Sequence, residues 1–387
     1  MSQSNAFRLL MATTLLCAPC LSISATSAKP LPVVDQVVAA LCNKGIAVLG
    51  ELPSHGEGRA FRIKADVVAQ LVQRCGFDAI LFEAPIYDFL GLEAHWGKRS
   101  ATTKQLDDAI GRFWLSTGLL DWRLWIFREA DAGRLVVGGL DDQVSVTSEH
   151  ARAVLPGLIA SRVTADKAEA CRTVVDRNLR WSYDADHPFD DAEKILLHEC
   201  ARSAVDGSSK AAFHNPVAAD ELMALNFASY VERQVHPESA PNRDEIMFQN
   251  ALWHFDRLPM GAKVIIWTAT VHGARQQGSL KSVPLGAKFH QRFGSEFGTV
   301  GFTAFGGQTA MAGNPAKTLV PAPPGSLEAR TVSLSGDEFY LDKNALAQLG
   351  EVESRLFGRL TRSDWSGQFD GVAVIRDEQA ANFNASD

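Results

Sequence analysis

The side chains able to do acid–base chemistry gather where four apolar runs end. Ile46-Ala47-Val48-Leu49 gives way to Gly50-Glu51-Leu52-Pro53-Ser54-His55-Gly56-Glu57-Gly58, and Ala79-Ile80-Leu81-Phe82 stops at Glu83. Leu135-Val136-Val137-Gly138 runs into Gly139-Leu140-Asp141-Asp142, and Val264-Ile265-Ile266-Trp267 into Thr268-Ala269-Thr270-Val271-His272-Gly273. An imidazole with an ordinary pKa of about 6.5 can take a proton from water at neutral pH. A carboxylate bonded to its other nitrogen fixes the tautomer and supports the cation that forms. His55 and His272 each precede a glycine in a loop, a context unlike that of a histidine packed on an apolar helical face. Glu83 directly follows a buried run, so its carboxylate needs a partner or a raised pKa. Asp141 can equally serve as a turn cap.

These groups meet only if the four runs lie side by side and point the same way. The runs are apolar on both faces, as in a parallel sheet covered by helices, where working groups sit on loops leaving the carboxyl ends of strands. Helical spacing over 33–43, 61–75 and several segments from 86 to 131 alternates with the first three strands. Residues 149–235 read as helical throughout, with segments 164–183, 188–205 and 217–235, and form an insertion or cap. A helix over 242–257 then precedes the fourth strand, and further strands are expected at 299–305 and 372–375. They are separated by a loop holding Pro321, Pro323, Pro324 and Gly325. The expected fold is α/β, with a mainly parallel central sheet, helices on both faces and an α-helical insertion, in one domain over 29–387.

Hydrophobic residues at 46% and charged residues at 21% exclude a disordered chain and a membrane bundle. A net charge of −7, with no basic stretch interleaved with aromatics, gives no reason to expect nucleic-acid binding. Residues 1–28 read as a secretory signal: Arg8, an apolar run from Leu9 to Leu21, then small residues to Ala28. A periplasmic or secreted protein, free of the membrane after cleavage, is expected. Four cysteines then remain, and an even number in an exported protein favours disulfides. Cys42 and Cys75 each end a helix just before a strand, and Cys171 and Cys200 lie on successive helices. Of the three pairings, 42–75 and 171–200 are expected, the first on the view that its two strands are neighbours.

The run Val48 to Gly56 resembles the strand–loop signature of the erythromycin esterase family, a Gly-Glu pair followed closely by Ser/Thr-His-Gly. The resemblance continues through Gly76-Phe77-Asp78, Leu81-Phe82-Glu83-Ala84, Trp122 to Arg128, Gly139-Leu140-Asp141, Arg243-Asp244, Asn250-Ala251-Leu252-Trp253 and Val264 to His272. It implies metal-independent hydrolysis of an ester or lactone, macrolides among the candidates, with no cofactor. His55 would be the general base, Glu51 its orienting partner, Glu83 a second carboxylate and His272 a further polar contact. Arg59, Arg62 or Lys64 would supply charge to the developing oxyanion, with Asp141 and Thr270 beside the substrate. Three positions depart from the family pattern. Glu51 and His55 are one residue further apart, so Leu52-Pro53-Ser54 must bulge; Lys64 stands for an arginine; Ala269 and Thr270 stand for a histidine and an asparagine.

Other chemistries remain open at this point. A serine nucleophile lacks a Gly-x-Ser-x-Gly elbow, and Ser54 adjoins His55 in a way that rarely aims one side chain at the other. Glu51, His55, Glu83, Asp141 and His272 also make an N/O ligand set for zinc, manganese or iron. A periplasmic haem- or iron-binding protein using the same strand ends is the third reading.

Overall fold

The computed structural model describes residues 31–145, 148–205, 218–334 and 336–383; the expected signal segment lies outside them. Its strands are β1 (Ile46–Glu51), β2 (Ala79–Pro85), β3 (Val136–Asp141), β4 (Val264–Ala269), β5 (Phe297–Thr309), β6 (Lys317–Leu319), β7 (Glu338–Asp342), β8 (Glu351–Ser354), β9 (Thr361–Asp364) and β10 (Gly371–Glu378). The main sheet runs β3-β2-β4-β1-β5-β10-β7, with β6 paired to β5 and β8–β9 a separate hairpin. All pairs from β3 across to β10 are parallel, and β7 closes the edge antiparallel to β10.

The two-sided apolar pattern has a direct cause. Ala47, Leu49, Ile80, Phe82, Ile265 and Trp267 face one core, shared with α1 (Val33–Leu41), α2 (Gly58–Cys75), α4 (Thr103–Ile110) and α5 (Leu120–Asp131). Ile46, Val48, Leu81 and Ile266 face the opposite core, shared with α10 (Arg243–Arg257) and α12 (Leu285–Phe293). Successive side chains of a strand point to opposite faces, so a strand covered on both sides must be apolar at every position.

A third core explains the segment between β3 and β4. Four helices, α6 (Glu149–Arg162), α7 (Ala168–Arg180), α8 (Asp191–Ser203) and α9 (Ala219–Val235), pack around Leu155, Val175, Leu197 and Phe227. They dock on α3 (Ile86–Gly97) and α10 through Tyr87, Leu90 and Trp253. Arg233 of α9 pairs with Asp142, just past β3, which ties this helical segment to the end of the sheet. The short helices α11 (Thr270–Gly273) and α13 (Lys343–Leu349) complete the chain.

Cys42 is bonded to Cys75 and Cys171 to Cys200. The reasoning behind the first pair needs correction, because β4 lies between β1 and β2. The cysteines meet because α1 and α2 pack against each other, and Lys263, just before β4, donates to the carbonyls of both Cys42 and Cys75. The bond closes a separation of 33 residues, for which loss of loop entropy in the unfolded chain predicts roughly 3–4 kcal/mol. Cys42→Ser/Cys75→Ser should lower the urea midpoint accordingly. A midpoint unchanged from the parent protein would show that this link contributes nothing.

Candidate active site

Strand order brings the four exits together. β3, β2, β4 and β1 are consecutive, and their register aligns Glu51 with Ala269, Phe82 with Trp267 and Asp141 with Pro85. A cavity of about 380 Å³ opens at these carboxyl ends, lined by His55, Glu83, Asp141 and Arg243 and by apolar groups including Phe113, Trp114 and Met311. That size suits a small-molecule pocket.

After β1 the chain turns sharply. The His55 N–H donates to Leu52 O at 3.0 Å, and His55 takes φ +49°, so the segment between Glu51 and His55 closes as a turn that ends in a left-handed residue. Gly56 is needed for the next step. Its carbonyl accepts from the N–H groups of Ala310 and Ala381, and a Cβ there would fall 1.6 Å from Ala310 O. The loop is thereby clamped between the end of β5 and the C-terminal segment.

This clamp aims the imidazole. His55 Nδ1 lies 2.8 Å from Glu51 Oε1, and the ring packs against Phe113 and Trp114. Glu51 is wholly buried and fully bonded: Trp114 Nε1 donates to Oε1 at 2.8 Å and Lys64 Nζ to Oε2. Burial opposes its charge, but Lys64 and His55 together hold its carboxyl below the usual range. An ionised Glu51 can only accept, so the neutral imidazole keeps its proton on Nδ1 and presents the Nε2 lone pair to the cavity. Burial alone would lower the pKa of His55; the hydrogen bond and charge of Glu51 outweigh it and raise it. Lys64 is fully buried over the Trp267 ring, and burial lowers its pKa to about 8 against the pull of Glu51.

The second cluster is built around Arg243, in the first turn of α10. Its Nε and Nη2 form a fork on Asp141 at 3.0 and 2.6 Å, and Nη2 also reaches Glu83 Oε1 at 3.0 Å. Glu83 Oε2 accepts from Thr268 Oγ1 and the Ala269 N–H. His272 stands between two carboxylates, with Nδ1 2.7 Å from Asp244 and Nε2 3.1 Å from Glu83. Burial disfavours its charge, but Glu83 and Asp244 prevail and push its pKa up to about 10. Arg243 Nη1 is also 3.1 Å from His272 Nε2. With two carboxylates on the ring, we take this as two cations sharing Glu83 rather than a bond between them. Burial raises the pKa of Glu83, yet His272 and Arg243 hold it well below the usual value.

The expected residues therefore divide. His55, Glu83 and Asp141 line the cavity, with Glu51 directly behind His55 and His272 behind Glu83. His272 is a bonded imidazolium rather than a free polar contact, and Asp141 holds Arg243 rather than capping a turn alone. The side chains expected at the oxyanion are bonded to other groups. Arg59 turns to Glu338 and Asp377 O, and Arg62 to Gln379. Lys64 is sealed beneath Glu51, and buried Thr270 donates to Leu356 O. Ser54 donates to Glu57 Oε1, away from a nucleophilic role. The spacing argument did not single out Arg243, Trp114 or Arg112. Arg112 lines the cavity, its guanidinium without a hydrogen bond or ion pair among the described residues, and Gly313 at φ +81° leaves room for its Nη2. A basic residue in the first turn of a helix, where the dipole disfavours it, was the available signal for Arg243.

Three solved structures share this fold. A Bacillus cereus protein is 16% identical, with TM-score 0.62 over 90% of this chain and 91% of its own. A succinoglycan biosynthesis protein is 14% identical, with TM-score 0.67 over 92% and 93%. A histidine-to-asparagine mutant of the erythromycin esterase EreC, in its open conformation, is 14% identical, with TM-score 0.59 over 91% and 95%. No curated protein sequence matches the chain. The erythromycin esterase family model matches residues 72–377, a span holding Glu83, Asp141, Arg243 and His272 and beginning after His55. On that match, over most of its length, the chain belongs to the erythromycin esterase family.

Proposed function

We propose that the protein hydrolyses a carboxylic ester or lactone by a water that His55 deprotonates, with no metal taking part. The observation that carries this is the Glu51–His55 pair, which leaves Nε2 directed at the cavity. Water on Nε2 gives up its proton as it attacks the acyl carbon, and the imidazolium that forms is stabilised by Glu51. The proton then passes to the departing alkoxide, which balances the step. Arg112 faces the same cavity and supplies charge to the tetrahedral oxyanion. Arg243 already places a cation where Glu83, Asp141 and His272 converge, which favours this reading over a metal bound by those groups. Membership of the erythromycin esterase family supports a hydrolase. Two disulfides, and no helix among the described residues long and apolar enough to cross a membrane, fit export to the periplasm or medium. A panel of aryl and alkyl esters, simple lactones and macrolides tests the proposal; hydrolysis of none of them would refute it.

The pH profile is a second test. His55 acts only when neutral, so kcat/KM should fall on the acid side with an apparent pKa above 6.5, because Glu51 raises that of His55. Glu51→Gln removes the raising charge and should shift the acid limb to lower pH while reducing the plateau. A limb that stays in place would separate Glu51 from the base.

A further inference from the structure

We propose that His198, Glu232 and His236 form a binding site for a divalent transition metal of the zinc type, in the helical segment and apart from the cavity. One ligand atom from each residue lies within 4.8 Å of the other two. Glu232 lies in the last turn of α9 and His236 is its C-cap, held one turn on by its N–H to the Glu232 carbonyl at 2.7 Å, and His198 reaches them from α8. His198 Nε2 and Glu232 Oε2 stand 2.6 Å apart, a contact held by one shared proton. The His198 and His236 rings meet edge-on at 4.9 Å.

A metal would take the place of that proton. Zinc binds imidazole nitrogen and carboxylate oxygen at about 2.0–2.2 Å, which sets tetrahedral ligand atoms roughly 3.3–3.5 Å apart. The His198–Glu232 contact must open by under roughly 1 Å and His236 must swing inward, movements within the reach of side-chain rotation. The donors are partly open to water, with His198 and Glu232 side chains 17% and 29% exposed, so an ion can enter. The backbone beneath is firm. Cys200, two residues beyond His198, is disulfide-bonded to α7, and Leu197 and Ala201 are buried. Two imidazoles and one carboxylate suit zinc over magnesium or calcium, which prefer all-oxygen shells. A water would complete the fourth position. Loading would join α8 to α9, the helix that carries Tyr230 into the cavity wall.

Full-length mature protein, stripped with chelator and dialysed, is titrated with zinc chloride by calorimetry, beside His198→Ala, His236→Ala and His55→Ala. Expected is about one equivalent bound at micromolar or tighter Kd, weakened at least about tenfold in His198→Ala and His236→Ala and unchanged in His55→Ala. Zinc should also raise the Tm of the parent and not that of His236→Ala. His236 is exposed, so its removal leaves the fold intact. No binding below about 1 mM, or binding lost in His55→Ala and kept in His236→Ala, would overturn the assignment.

Discussion

His55→Asn is expected to cut kcat/KM by roughly 10²- to 10⁴-fold, the usual contribution of a positioned general base, with little change in unfolding midpoint. Asparagine is the better probe here than alanine or glutamine, because residue 55 has φ +49° and asparagine enters that region at small cost. The side chain is shorter and offers no basic nitrogen at neutral pH, so the water on Nε2 loses its proton acceptor. Glu51 keeps Trp114 and Lys64 as partners, which is why stability should hold. Ser54→Ala is the informative control, since Ser54 is bonded to Glu57 and should be dispensable for turnover. Hydrolysis surviving in His55→Asn at the parent rate would remove the mechanism, whatever the fold.

The parallel strands were legible because burial on both faces forces an unbroken apolar run, and the gathering of His55, Glu83 and Asp141 at one cavity was legible because such strands release their polar groups at one end. The short strands β7, β8 and β9 were not. They are four or five residues long, lie beside or outside the parallel sheet, and carry polar sequences such as Glu351–Ser354 and Thr361–Asp364. Order was equally hidden: nothing local in Val264–Ala269 says that this strand inserts between the first two, since pairing is decided by packing across the whole sheet. Arg59 and Arg62 illustrate the limit at the site. They sit near the histidine in sequence, but Arg59 turns to Asp377 O on β10 and pairs with Glu338 on β7, and Arg62 bonds to Gln379 just past β10. Trp114 reaches Glu51 from a 3-10 turn after Gly111, itself at φ +81°. Such a contact follows from the path of a loop, which no periodicity records.

The largest effect on stability is expected at Arg243. Arg243→Met would strip the cation from two carboxylates, Glu83 and Asp141, whose side chains are each only 5% exposed. Breaking a buried pair from one side costs about 3–5 kcal/mol; the lower figure fits here, because Arg243 itself is 24% exposed to the cavity. Among the described residues, His272 would remain as the only cation paired with Glu83, and Asp141 would have none. Arg243→Lys should recover part of the loss, since it restores charge but not the fork that engages both oxygens of Asp141. The sign with pH follows. In the parent, Arg243 and His272 hold Glu83 well below its ordinary range, so this stabilisation is present above the unfolded carboxyl pKa and fades as pH falls through the folded value. In Arg243→Met Glu83 becomes easier to protonate, so the gap between variant and parent should narrow from pH 7.5 toward pH 5. Adding Asp141→Asn to Arg243→Met should return stability, because one unpaired charge is then gone, whereas Asp141→Asn alone should destabilise. Urea denaturation at the two pH values measures all four proteins. If the double variant is no more stable than Arg243→Met, the arginine is not there to neutralise Asp141, and the charge cluster behind the cavity is not what holds the strand ends together.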